Sequence, residues 1–374
     1  MPDPRHSNLA KILVNYSTKV RPGDQVAIFS QPAAIPLVRE VYREVLRAGG
    51  FPYYLLGGLK SRVELEDLAY TLFTEGNEDQ IQHVNRMEKM VREEFDVMIT
   101  LYSQVNTRGL SNVDPARQSM RLRAYADLTQ TYLERSAAGE FRWAISMYPT
   151  EAYAQDAEMS LAEFEAYVYS TTYADTSNPI ERWQEVHDEQ QVLVDWLKGK
   201  KQVQVKGPEV DLTLSIDGRK FINSDGTHNM PSGEIFTGPV EDSVNGWVRF
   251  SYPAVLRGRE VEGVELHFEE GKVVKASATK NEAFMVEMLD ADAGSRYLGE
   301  FAIGTNQRIN RFIKNILFDE KIGGTIHMAV GAGYPETGSK NKSGLHWDMI
   351  CDMRDGGQII VDGELFYESG EFKV

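Results

Sequence analysis

The chain has 374 residues, 42% of them hydrophobic and 26% charged, and carries a formal net charge of −16. This length suggests two domains with ordinary packed cores, and the excess of acid argues against a nucleic-acid partner, whose phosphates need a basic surface. No apolar run approaches the roughly 20 residues of a membrane span, and the single cysteine, Cys351, excludes an intrachain disulfide.

In chain order, the first half alternates helix and strand signals. Leu9, Ile12, Leu13 and Tyr16 share a helical face, and Arg21-Pro22-Gly23-Asp24 breaks it before the apolar run Val26-Ala27-Ile28-Phe29. Ile35, Val38, Val41, Tyr42, Val45 and Leu46 recur at helical spacing, and Gly49-Gly50 supplies a stop. Tyr53–Leu56, Val97–Leu101 and Trp143–Ser146 read as strands. Between them, Ile81, Val84, Met87 and Val91 mark one helix, and Met120–Glu134 another. Strands separated by helices in this rhythm predict a mostly parallel sheet.

After Trp196 the pattern changes. Lys198-Gly199-Lys200-Lys201 is a polar hinge, and Val210–Asp217 alternates apolar and polar residues with the period of a half-buried strand. Leu266–Val274 reads as a hairpin, with helical patches at Glu282–Leu289 and Asn310–Phe318. The fold expected is an α/β N-terminal domain over residues 1–200 with a mostly parallel sheet, followed by a strand-rich α+β domain over residues 201–374. Met1–His6 lacks the apolar stretch of a signal peptide, so a cytoplasmic location is expected.

Several motifs are absent or only approached. Gly331–Lys340 is glycine-rich, but no Gly-Lys-Ser/Thr closes it as a phosphate loop requires, and its glycine spacing does not fit a dinucleotide fingerprint. There is no H-E-x-x-H and no G-x-S-x-G. Cys351, among Met349, Ile350 and Met353, reads as buried filler.

Four segments of the second half place an ionisable side chain in a short apolar stretch flanked by glycine. They are Met230–Pro239 with Glu234, Tyr297–Gly304 with Glu300, Gly323–Gly331 with His327, and Ser343–Ile350 with His346 and Asp348. Such surroundings disfavour a charge unless a partner is supplied, and a metal ion is one such partner. His346 and Asp348 are two apart, so an extended segment turns both to one face; His327 shares its side with Thr325 and Ala329. Taken singly, a residue such as Glu234 is more often a solvated turn residue or a cap than a ligand, and one such as His327 more often a hydrogen-bonded core histidine.

These four segments, in this order, resemble the four metal-ligand motifs of the aminopeptidase T / aminopeptidase S family: Gly233–Pro239, Leu298–Gly304, Gly324–His327 and His346-Trp347-Asp348. Lys11–Tyr16 and Leu37–Gly50 resemble the family's N-terminal segments. The resemblance implies an aminopeptidase that binds two divalent metal ions (zinc, cobalt or manganese) through Glu234, Glu300, His327, His346 and Asp348. It implies peptide substrates and a homodimer, and Tyr334 matches an active-site tyrosine. Glu336–Leu345 is compact where some members carry a longer insertion. The mechanism expected is attack by activated water, with Glu300 and Tyr334 as catalytic residues and one of Glu234, Glu300 and Asp348 bridging the ions. A metal-dependent phosphoesterase and a non-catalytic peptide-binding protein are the competing readings. Against the first, no Arg or Lys lies inside the four segments to clamp a phosphate.

Overall fold

The computed structural model describes residues 3–56, 66–256 and 259–374. The chain divides into two units: Met1–Trp183 with Gly226–Pro231, and Gln184–Asp225 with Ser232–Val374.

The first unit is built on a parallel sheet of β1 (Gln25–Ser30), β2 (Phe51–Leu56), β3 (Val97–Tyr102) and β4 (Arg142–Met147), in the order β2-β1-β3-β4. Every residue of Val26–Ser30 is buried, the expected state of an interior parallel strand. Helix Ile35–Arg47 buries Leu37, Val38, Val41 and Val45 along one stripe. It ends where Gly49 adopts φ +84°, a left-handed turn that a side chain would strain. The return segment Gly226–Pro231 belongs to this unit because Ser17 Oγ donates to the Gly226 carbonyl (2.6 Å) and Ile145 N donates to that of His228 (2.9 Å).

Two expected helices are each split. Residues 81–91 fall on Glu78–Gln82 and Arg86–Glu94, because Asn77 and Asn85 each cap a new start through their side chains. Residues 120–134 fall on Pro115–Ala124 and Ala126–Ala137, divided at Tyr125, where ψ is 3°.

The second unit opens with the end of helix Pro179–Leu197 and then runs mostly in antiparallel strands. Its larger sheet takes β5 (Gln202–Gly207), β6 (Val210–Ser215), β9 (Asn245–Arg249), β12 (Glu265–Glu269), β13 (Lys272–Ser277), β17 (Gln358–Val361), β18 (Glu364–Glu368) and β19 (Glu371–Phe372). Its smaller sheet takes β7 (Ile222–Ser224), β8 (Glu234–Thr237), β14 (Leu298–Gly304), β15 (Thr325–Gly331) and β16 (His346–Asp352) in the order β16-β15-β14-β8-β7. A short ladder of β10 (Ala254–Leu256) and β11 (Arg259–Val261) accompanies them. One apolar core joins the two large sheets: Val203, Val205, Leu212 and Val248 from the first meet Ile235, Phe301, Ile303, Met328 and Trp347 from the second. The alternation read in Val210–Asp217 is realised, with Val210, Leu212 and Leu214 buried and Asp211 exposed. The hairpin over Leu266–Val274 and the helix Glu282–Leu289 also form.

The helix expected over Asn310–Phe318 is a single turn, Ile316–Asp319. Lys314 is left-handed at φ +61°, and the Asp319 carboxylate accepts the N–H groups of Ile313 (2.7 Å) and Asn315 (2.6 Å), which holds the preceding chain as a loop. Asp319 is buried, so Asp319→Ala leaves two inner N–H groups without their acceptor. We expect it to lower stability in urea by roughly 2–3 kcal/mol; a change within the error of the extrapolation would show that the loop is held by other contacts. Cys351 is buried in β16, and burial pushes its thiol up to about 12, so it is an inert core residue.

Candidate metal centre

The smaller sheet gives its two faces to different tasks. On β15, Ile326, Met328 and Val330 enter the core, while His327, Ala329 and Gly331 alternate with them on the opposite face. The register carries this alternation across the strands. Ala329 lies opposite Glu300 on one side and Asp348 on the other, Gly331 opposite His346, and Gly304 opposite Glu234. Ala302, Gly304, Ala329 and Gly331 therefore form a floor of the smallest residues, over which the longer side chains of Glu234, Glu300, His327, His346 and Asp348 converge. Two glycines are needed for backbone approach at the rim. A Cβ on Gly299 would lie 2.3 Å from the Gly331 carbonyl oxygen, and Gly233, at φ +120°, abuts Asn306.

All five residues singled out in the sequence come together in an unbroken series. Glu234 Oε2 is 3.5 Å from His327 Nε2, and His327 Nε2 is 3.6 Å from Glu300 Oε1. Glu300 Oε2 is 3.4 Å from His346 Nε2, which is 3.4 Å from Asp348 Oδ1. Both imidazoles are held from behind. Nδ1 of His327 donates to the Glu320 carbonyl (2.9 Å) and Nδ1 of His346 to that of Ala332 (2.8 Å), which turns each Nε2 towards the carboxylates.

These surroundings fit a metal. Glu234 Oε2 is buried and has no hydrogen-bond partner. The contacts are longer than good charged hydrogen bonds, and two ligand atoms on one tetrahedral ion, each about 2.1 Å from it, lie about 3.4 Å apart. Ligand atoms of Glu300, His327 and Asp348 all fall within 4.8 Å of one another. Charge points the same way: the carboxylates of Glu234 and Glu320 meet the Lys321 ammonium, and those of Glu300 and Asp348 meet imidazoles.

Without a metal the imidazoles answer the carboxylates by holding protons. Burial lowers the pKa of His327, but Glu300 and Glu234 outweigh it and raise the group to about 9. His346 is raised well above its usual value because Asp348 and Glu300 outweigh its burial. In return, His346 overcomes the burial of Asp348 and holds it at about 2, and the two histidines hold Glu300 below the ordinary glutamate range. Burial, reinforced by Glu234 and Asp348, raises Glu320 to about 7.

Tyr334 closes one side. Its ring packs edge-on against Phe236 and His346, with centroids 5.3 Å away in each case, and the residue stays 41% exposed. Loss of solvent around its inner part and the carboxylates of Glu300 and Asp348 raise its pKa, so the phenol remains a neutral donor. The loop beyond it is anchored by Glu241, whose carboxylate accepts from Arg219 and from Lys340 N, both at 2.6 Å. Glu320 and Lys321 were not singled out in the sequence. Their signal is the polarity contrast of the other segments: Asp319-Glu320-Lys321 interrupts the apolar Ile316–Phe318 and Ile322.

A buried centre of carboxylates and carbonyl-braced imidazoles defines a metalloenzyme, and the comparisons with known proteins agree: the chain is a metallopeptidase. The family model described as thermophilic metalloprotease (M29) matches residues 3–372, and the chain belongs to that family. Aminopeptidase 2 of Geobacillus stearothermophilus is 28% identical over 389 residues, covering 98% of this chain and 92% of that protein. Aminopeptidase T of Thermus thermophilus is 27% identical, covering 71% and 69% of the two chains. Among solved structures, wild-type AmpT from Thermus thermophilus matches with a TM-score of 0.86 at 21% identity over 99% of each chain. The 2,5-dihydroxypyridine dioxygenase of Pseudomonas putida KT2440 matches with a TM-score of 0.61 at 12% identity over 98% and 96%. Since this fold is found under a dioxygenase name as well, function has to be argued from the site.

Proposed function

We propose that this metallo-aminopeptidase removes the N-terminal residue of peptides at a two-ion centre held by Glu234, Glu300, His327, His346 and Asp348. The observation that carries the reading is the position of Glu300, with each of its two oxygens turned to a different imidazole. That position would let Glu300 serve both ions, with Glu234 and His327 holding one and His346 and Asp348 the other. Zinc, cobalt and manganese all suit nitrogen and carboxylate donors. When bound, such ions supply Lewis acidity, which lowers the pKa of water and polarises a carbonyl.

The chain's own residues do the rest. The small floor leaves room for a peptide end between the side chains, and the acid-rich centre favours its ammonium group, which accounts for action on the first residue alone. Both oxygens of Glu300 face the imidazoles, so the proton that the attacking water gives up passes to one of the other carboxylates of the centre. Tyr334 donates to the oxygen on which negative charge develops. All five ligands lie in residues 201–374, the catalytic domain of this reading.

Tyr334→Phe is expected to lower kcat by about 10²–10³-fold with metal content unchanged. An unchanged kcat would confine Tyr334 to packing against Phe236. An aminoacyl p-nitroanilide tests the reading as a whole: a peptide-binding protein releases no nitroaniline, and a phosphoesterase turns over a phosphodiester instead.

A further inference from the structure

The two oxygens of Glu234 have different surroundings. Oε2 faces His327 Nε2 at 3.5 Å and has no hydrogen-bond partner. Oε1 lies 3.4 Å from Nζ of Lys321, a side chain that is 0% exposed. The same ammonium touches Glu320 Oε1. A lysine this deep is held by its counter-charges, since leaving either would strand a buried ion.

The backbone fixes it as firmly. Lys321 N donates to the Phe318 carbonyl (2.9 Å), and the Lys321 carbonyl accepts from Asn306 N (3.2 Å). Asn306 Nδ2 donates in turn to the Ser232 carbonyl (2.8 Å), two residues ahead of Glu234. The lysine and the glutamate it contacts are thus tied to one frame.

From this geometry we infer that Lys321 is a positioning residue for the metal centre: by occupying Oε1 it leaves Glu234 a single oxygen, Oε2, to offer a divalent cation beside His327. The inference rests on reading the cluster as a metal centre. A carboxylate with both oxygens free can close on an ion with both and use up a coordination position. A catalytic ion needs that position open for water or substrate. An ammonium on one oxygen keeps it open, which an apolar side chain of similar size cannot do.

The test compares wild type with Lys321→Met and with Lys321→Met/Glu320→Gln. The double variant removes the ammonium and one counter-charge together, so the interior gains no net charge. Thermal melting and near-ultraviolet circular dichroism identify folded protein. Cobalt(II) is then titrated into metal-stripped samples, with the visible absorption bands recorded and affinity measured by competition with a chelator. The expected result is that the band of one of the two cobalt ions weakens in the variants, as that ion gains a ligand atom. Its affinity should change by about 10–100-fold while the other ion keeps its band. A role in filling space alone would move neither reading. Identical spectra and affinities in a folded variant would overturn the inference. Wild-type protein that binds no cobalt would instead sink the metal-centre reading beneath it. One measurement does not depend on the variants' folding. Infrared difference spectra of wild type on adding zinc should show a widely split carboxylate pair that Glu234→Gln abolishes, and a narrow splitting there counts against one-oxygen binding.

Discussion

Alanine at position 300 is expected to empty the metal centre and silence the enzyme in one step. Glu300 is the residue whose carboxylate meets both imidazoles, so in the proposed centre its loss would remove a ligand from each ion. Loss of an outer partner of a metal ligand costs about 10–100-fold in affinity or activity, and loss of a shared ligand should exceed that, so kcat/KM should fall by more than about 100-fold. Metal content measured on the same sample should fall with it. Glu300→Gln keeps the shape and removes the charge, and the same loss there assigns the effect to the carboxylate rather than to a cavity. Full activity with unchanged metal content would remove Glu300 from the centre.

Stripping the metal should have an effect of similar size, and one that can be reversed. Hydrolysis of leucine p-nitroanilide is expected to stop on chelation and to return with zinc, cobalt or manganese, in an order that ranks the ions. If no ion restores it in folded protein, after a short panel of other first residues, the aminopeptidase reading fails. Saturation at 100 times the dissociation constant adds about 2.7 kcal/mol to stability. For a unit of this size that raises the melting temperature by about 5–10 °C. The pH dependence has a definite sign. Metal and proton compete for Nε2, and the carboxylates around His327 outweigh its burial and keep it protonated up to about 9 in the metal-free protein. Apparent metal affinity should therefore climb with pH until about 9, where an ordinary imidazole would level off near 6.5. An affinity independent of pH over this range would exclude the histidines as ligands.

Much of this was legible in the sequence, for reasons that differ by region. The parallel sheet announced itself because β1 and β3 are buried on both faces and the strands are separated by helical segments. His346 and Asp348 could be set on one face from their spacing alone, and β16 places them there. What spacing could not supply was the register between strands. That Ala329 sits between Glu300 and Asp348 depends on pairings between residues far apart in the chain. The order in which Glu234, Glu300 and Asp348 stand across the sheet depends on it too, and spacing along the chain could not supply that order. The loop before Ile316 misled because its apolar residues recur at helical spacing, while the competing signal was one carboxylate, Asp319, bonding backwards to the chain. Glu320 and Lys321 escaped notice because a charge run is ordinarily solvated, and here the fold buries it.

The alternation along β15 has a consequence for how such an enzyme can change over generations. Core and reaction chamber are spelled in the same seven letters, Thr-Ile-His-Met-Ala-Val-Gly, read at odd and at even positions. One inserted or deleted codon within the strand would exchange the two readings, turning His327 inward and Met328 into the chamber. Point substitutions can adjust either text separately, but a shift in length within β15 moves both at once unless a bulge absorbs it, as the extra residue Gly299 does in β14 beside Glu300.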